Sequence, residues 1–297
     1  MTKNNWQKEY NHIPRSVIMG TLVGMFIFPL HGCNKDVPEA LPFGELAGSG
    51  REPVETLTSA TKASVILGGR LYDNWPKINS AIKADANPLA KYIEGYPALV
   101  TTDKPPKNTT YGDFLDLARK DQYRCTTCHG FDYSGSQFFP VGIMDASNNK
   151  TIDDLKAIIS GGFGTPTLHA FNSDLNATQI EDLAEFIKYG VVNVSDYIYG
   201  LPIGKGDASN GGRRYEGSAG CSGCHGLDGK DIDFANGDPK ILPNAFVGTI
   251  GQDRPAEMLH KIRFAQPGSK MPSIYESGLT TQDAVDIMTY TQQLARE

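Results

Sequence analysis

The chain opens with a polar stretch, residues 1–15, followed by an apolar run from Ser16 to Leu30. That run is shorter than the roughly 20 residues a membrane-crossing helix needs, and it has the length of a signal-peptide core. Residues 34–58 scatter Pro and Gly with little periodicity, which suits a tether. From Thr61 the pattern turns helical, with Val65, Ile66 and Leu67 ahead of Gly68-Gly69. Asp113 to Arg124 carries Phe114, Leu115, Leu117 and Ala118 and predicts a helix. Thr151 opens another, with Ile152, Leu155, Ile158 and Ile159 at near-helical spacing and Gly161-Gly162 ending it. Asn176 can cap a helix with Gln179 three residues on, and Ile180, Leu183, Ala184 and Ile187 form one stripe before Gly190. Later, Ala256–Gln266 carries Met258, Leu259 and Ile262 on one side. Thr280 and Asp283 then begin a last helix with Ala284, Ile287, Met288 and Leu294 as its stripe. The pattern predicts a mainly α fold.

The five cysteines change the picture. Four of them lie in Cys125-Thr126-Thr127-Cys128-His129 and Cys221-Ser222-Gly223-Cys224-His225. A Cys-x-x-Cys-His run reads as the covalent attachment site of a c-type haem: two thiols bond the vinyl groups, and the next imidazole coordinates iron. A thioredoxin-like redox pair needs no histidine there, and a structural zinc ion needs four ligands converging on it, which here would have to be shared by both motifs.

Each motif resembles the haem site of a class I cytochrome c domain, a likeness that covers most of residues 109–297. It implies two tandem helical haem domains, residues 109–196 and 200–297, after an N-terminal helical extension at 59–108, and two covalently bound haem c groups. Gly200-Leu201-Pro202-Ile203-Gly204 is the joint between them. The glycine-rich helix before Cys221, with Tyr215, resembles the family's first helix. Gly69-Arg70-Leu71-Tyr72-Asp73-Asn74-Trp75 resembles a leader segment ahead of some first haem domains, serving as a flap over the haem edge or a helical packing extension. In such domains a loop before the closing helix carries the distal iron ligand. Pro267-Gly268-Ser269-Lys270-Met271-Pro272 resembles that loop closely, so His225 and Met271 are the expected axial pair of the second haem. In the first domain the same place reads Thr167-Leu168-His169-Ala170-Phe171, without methionine. His169 is the expected distal partner of His129, with Met144 and an open iron as alternatives. Met258 and Met288 lie on apolar stripes and read as core. His260 reads as a surface or packing histidine.

Leu30-His31-Gly32-Cys33 looks like a lipoprotein cleavage box, which makes residues 1–32 a signal peptide, 33–58 a tether and Cys33 the lipid anchor; an uncleaved signal anchor with a free thiol is the alternative. Either way the expected place is the periplasm or the cell surface. The formal charge of the whole chain is −6, and loss of Lys3, Lys8, Glu9 and Arg15 leaves 25 basic against 33 acidic residues. That balance argues against nucleic acid and for a redox partner with a basic docking patch, or serves solubility alone. Two six-coordinate irons leave no open position for substrate, so the resemblance implies an electron relay between a donor and an acceptor protein, with no catalytic residues. The alternatives are a dihaem oxidoreductase acting on a sulfur compound or peroxide at the first haem, or the cytochrome subunit of a dehydrogenase.

Overall fold

The computed structural model describes residues 52–78, 124–135, 142–161, 169–199, 203–234 and 246–296. Cys33 and the leader, the joint at 200–202 and all but the end of the helix expected over 113–124 lie outside them.

The architecture is mainly α. Helix α1 spans Ser59–Asn74, capped by Thr58, whose side chain accepts from the Thr61 amide. It runs straight through Gly68-Gly69. Helix α2, Thr126–His129, is the single turn of the first Cys-x-x-Cys-His motif. Helices α3, Met144–Asn149, and α4, Ile152–Ile159, follow, the second with a Thr151–Asp154 capping box. Helix α5, Ala177–Glu185, starts on the expected Asn176–Gln179 box and closes in a π-helical turn, Phe186–Gly190. The second half contains α6, Ala208–Glu216, and α7, Ser222–His225, the turn of the second motif. It continues with α8, Val247–Asp253, α9, Pro255–Phe264, and α10, Thr281–Thr291, which begins on the Thr280–Asp283 box. Three helix starts were therefore written in local sequence, because a capping box satisfies orphan amides with side chains three residues apart.

Between the halves, β1, Ile198–Tyr199, pairs antiparallel with β2, Ile203–Gly204, in the register Ile198↔Gly204 and Tyr199↔Ile203. Residues from Ser49 onward form one compact unit. The apolar stripes are core as expected: Ile180, Leu183, Ala184, Ile187, Met258, Leu259, Ile262, Ala284, Ile287 and Met288 all lie in or against the buried cluster.

The two halves repeat one construction. In the second, α6 crosses α10 at Gly211, where a Cβ would stand 2.0 Å from the Asp286 carbonyl oxygen. In the first, α1 crosses α5 at Gly68, where a Cβ would stand 1.9 Å from the Asp182 carbonyl oxygen. Tyr215 Oη donates to the Gly226 carbonyl (2.9 Å) and Tyr72 Oη to the Gly130 carbonyl (2.6 Å). The 59–74 segment is thus the first half's counterpart of α6. The Cys125 amide donates to the Tyr72 carbonyl at 3.1 Å, so the end of α1 delivers the first motif although residues 73–124 intervene in the chain.

Adding a methyl at these crossings forces the helices apart. Gly211→Ala is expected to cost about 3 kcal/mol in urea unfolding. Gly212→Ala, whose methyl meets only the edge of Tyr290 at 3.1 Å, is expected to change stability far less. Equal effects at the two positions would refute the close-packing account.

Candidate functional site

Both Cys-x-x-Cys-His motifs fold alike. The first cysteine precedes a single helical turn, the histidine ends it, and its amide donates to the first cysteine's carbonyl at 2.9 Å in both. A glycine follows with φ 69° at Gly130 and 74° at Gly226, a left-handed conformation that a side chain resists. The chain then turns back, and the histidine carbonyl accepts from Gly135 (3.0 Å) or Asp231 (3.1 Å). Cys125 and Cys128 are partly buried free thiols pushed up to about 12, chiefly by burial. Burial takes Cys221 to about 11. Thiols held this high are unlike the depressed thiolates of dithiol redox catalysts. Among the described residues no three His, Cys, Asp or Glu side chains gather as a metal site.

The first half brings its two expected imidazoles together. The rings of His129 and His169 lie 6.0 Å apart, centre to centre, with planes 17° from parallel. Two metal–nitrogen bonds of about 2 Å, with about 1 Å from each nitrogen to its ring centre, span a similar distance. The separation of the ring centres is the one such a pair would have. Burial and the neighbouring His129 charge lower the His169 pKa to about 4, which keeps its ring in the neutral, coordinating form. Its Nδ1 is buried without a hydrogen-bond partner among the described residues. The loop that carries His169 is braced by Phe171, whose ring stands 6.0 Å from that of His169 and edge-on to Trp75 at 4.8 Å. Met144, the alternative ligand, opens α3 and packs against the core.

In the second half the His225 ring lies 5.7 Å from Phe234, and burial lowers the pKa of its imidazole. Met271 stands half-buried on the loop that leaves α9, where its amide donates to Ser269 Oγ at 3.1 Å. That loop begins at Ala265 with φ 76°, turns at Gly268 with φ 70° and is gripped at its exit by Ser273 Oγ, which donates to the Arg263 carbonyl. Iron and porphyrin would be held by Cys125, Cys128, His129 and His169 in one half and by Cys221, Cys224, His225 and Met271 in the other.

Sequence reasoning missed two groups. Trp75, at the end of α1, packs against Phe171 in the loop that carries His169. Asp73, 1% exposed, accepts from Lys261 Nζ on α9 at 2.7 Å and from Arg124 beside the first motif. The available signal was an internal repeat: Gly68-Gly69-Arg70-Leu71-Tyr72 against Gly211-Gly212-Arg213-Arg214-Tyr215. His260 is fully buried, a packing residue as one of the two readings had it, and is hydrogen-bonded at both ring nitrogens.

No family model matches the chain, and no curated protein matches it. Among solved structures, a chain described as "Kuenenia stuttgartiensis reducing HAO-like protein complex Kustc0457/Kustc0458" is similar at 18% identity and a TM-score of 0.24, over 64% of this chain and 98% of that one. A likeness at that level carries no argument about this protein. Among the described residues no helix is long and apolar enough to cross a membrane.

Proposed function

We propose that the chain is an exported dihaem c-type cytochrome, lipid-anchored through Cys33, that relays single electrons between redox proteins in the periplasm or at the cell surface. The observation that carries this reading is the near-parallel pairing of His129 with His169 at 6.0 Å, directly beside a Cys-x-x-Cys-His turn. The repeat of the same construction around the second motif supports it. Haem, when bound, supplies a one-electron iron couple whose potential rises with methionine ligation. His129 and His169 would hold the first haem through two nitrogens, and His225 and Met271 the second through one nitrogen and one sulfur. That ligand set would give the second haem the higher potential. Residues around each site position the candidate ligands: Trp75 and Phe171 pack beside His169, and the Arg263–Ser273 contact closes the Met271 loop. The acidic balance of the chain suits a partner with a basic docking patch.

The test is mass spectrometry of the purified protein, followed by absorption and magnetic circular dichroism spectra of both oxidation states with and without carbon monoxide. The expected result is a mass gain of two haems, one bis-histidine and one histidine–methionine signal, and no carbon monoxide shift. A high-spin signal or ready carbon monoxide binding would instead make the first half a substrate site and the protein an oxidoreductase. An unmodified mass would refute the haem reading altogether.

A further inference from the structure

Helix α9 belongs to the second half by sequence, yet its His260 reaches into the first. The Gly69 carbonyl on α1 can only accept, so His260 Nε2 carries the proton and donates to it at 3.0 Å. Nδ1 of the neutral ring must then accept, and Tyr133 Oη donates to it at 2.8 Å. Both side chains are 1% exposed. Tyr133 lies four residues beyond His129, in the loop that follows the first motif, and holds φ at 63°. Ala265, at the far end of α9, holds φ at 76°. Among the described residues these are the two non-glycine positions in the left-handed region, and such conformations persist where the surroundings impose them. Tyr133 is imposed by His260 and by the ring contacts to Tyr72 and Phe186. Ala265 starts the loop that carries Met271, and the exit of that loop returns to α9 through Ser273 Oγ and the Arg263 carbonyl, while Arg263 Nε donates to Tyr275 Oη at 2.7 Å. One rigid helix therefore joins the loop after His129 to both ends of the Met271 loop.

We infer that Tyr133 and His260 are positioning residues for the second haem: from the first half they set, through α9, where Met271 stands. The inference rests on the dihaem reading above and goes beyond it, since it makes ligation at one haem depend on a hydrogen bond beside the other. The test uses the full dihaem protein with Tyr133→Phe, which removes one hydroxyl. His260→Gln, which keeps a donor and an acceptor, is the conservative companion. Tyr72→Phe is the control: it removes the hydroxyl bonded to Gly130 in the same half without touching α9 through a hydrogen bond.

Spectroelectrochemical titration reads the two midpoint potentials, and the methionine-to-iron charge-transfer band reads Met271. In Tyr133→Phe the band is expected to weaken and the second haem's potential to fall by about 59 mV, the equivalent of a tenfold loss in methionine's preference for ferrous iron. The bis-histidine signal stays as it was, and His260→Gln recovers part of the band relative to His260→Phe. Tyr72→Phe leaves the band unchanged even where it lowers the melting temperature. An unaltered band in Tyr133→Phe, or an equal loss in Tyr72→Phe, overturns the inference. Wild-type protein without covalent haem overturns the dihaem reading and this inference together, and that result is visible before any variant is made.

Discussion

Replacing His169 by alanine is expected to turn the first haem into a high-spin centre that binds a full haem equivalent of carbon monoxide when reduced. The second haem should keep its histidine–methionine signal. The reason is the pairing of rings: the imidazole beside His129 at 6.0 Å is that of His169, and on the proposed dihaem reading its removal would leave His129 as the single nitrogen ligand. An open sixth position on a haem with one axial histidine is the arrangement that admits small ligands. Added imidazole should fill the vacated space and restore the low-spin spectrum. A variant that remains low-spin and indifferent to carbon monoxide would assign the distal position to another residue, with Met144 the first to test. Phe171→Ala and Trp75→Ala act on the same ligand indirectly by loosening the loop they brace, so partial high-spin character is expected there rather than complete conversion.

The second large effect falls on Asp73. Burial alone would raise the pKa of its carboxyl, but the charges of Lys261 and then Arg124 outweigh it and hold the group at about 2. In the unfolded chain the same carboxyl titrates near about 4. A folded-state pKa below the unfolded one adds stability that is fully present above about pH 4 and is lost as pH falls toward 2, by about 2.5 kcal/mol in all. Asp73→Asn goes further, because it leaves Lys261 and Arg124 facing a neutral group in a largely dry site. Breaking a buried pair from one side costs about 3 kcal/mol or more, partly offset here by Glu257, which lies 3.5 Å from Lys261. For a protein of this size that lowers the melting temperature by roughly 5 °C. Denaturant melts of wild type and Asp73→Asn at pH 7 and pH 3 check the sign: the gap between them narrows at pH 3. A gap of the same size at both values would mean that the carboxylate charge is not what Asp73 contributes.

The connection from Asp73 to α9 gives this prediction its reach. Lys261 is the residue after His260, so α1 grips α9 at neighbouring points, once through a charge and once through the Gly69 carbonyl. Loss of the carboxylate should therefore weaken the seam between the halves before it weakens either half alone.

What the sequence determined by itself was everything encoded over a few neighbouring residues. The two Cys-x-x-Cys-His turns, the Asn176–Gln179 and Thr280–Asp283 caps, the apolar stripes and the loop around Met271 all depend on contacts within about one or two helical turns, and side-chain identity at fixed spacing reports such contacts directly. The nearness of His169 to His129 was legible for a related reason, since the resemblance singled out its place shortly before a well-marked closing helix. What only the tertiary structure decided was long-range. Residues 73–124 separate Tyr72 from Cys125, where 216–220 separate Tyr215 from Cys221, so the partnership of α1 with the first motif was hidden by distance along the chain. His260 gave no sign of being the seam between the halves, because a helix stripe identifies one buried face and α9 buries a second against α1. The Asp73, Lys261 and Arg124 cluster was hidden in the same way: each charge alone reads as a solvated surface residue. Only when the fold removes the water around them does their pairing become a requirement.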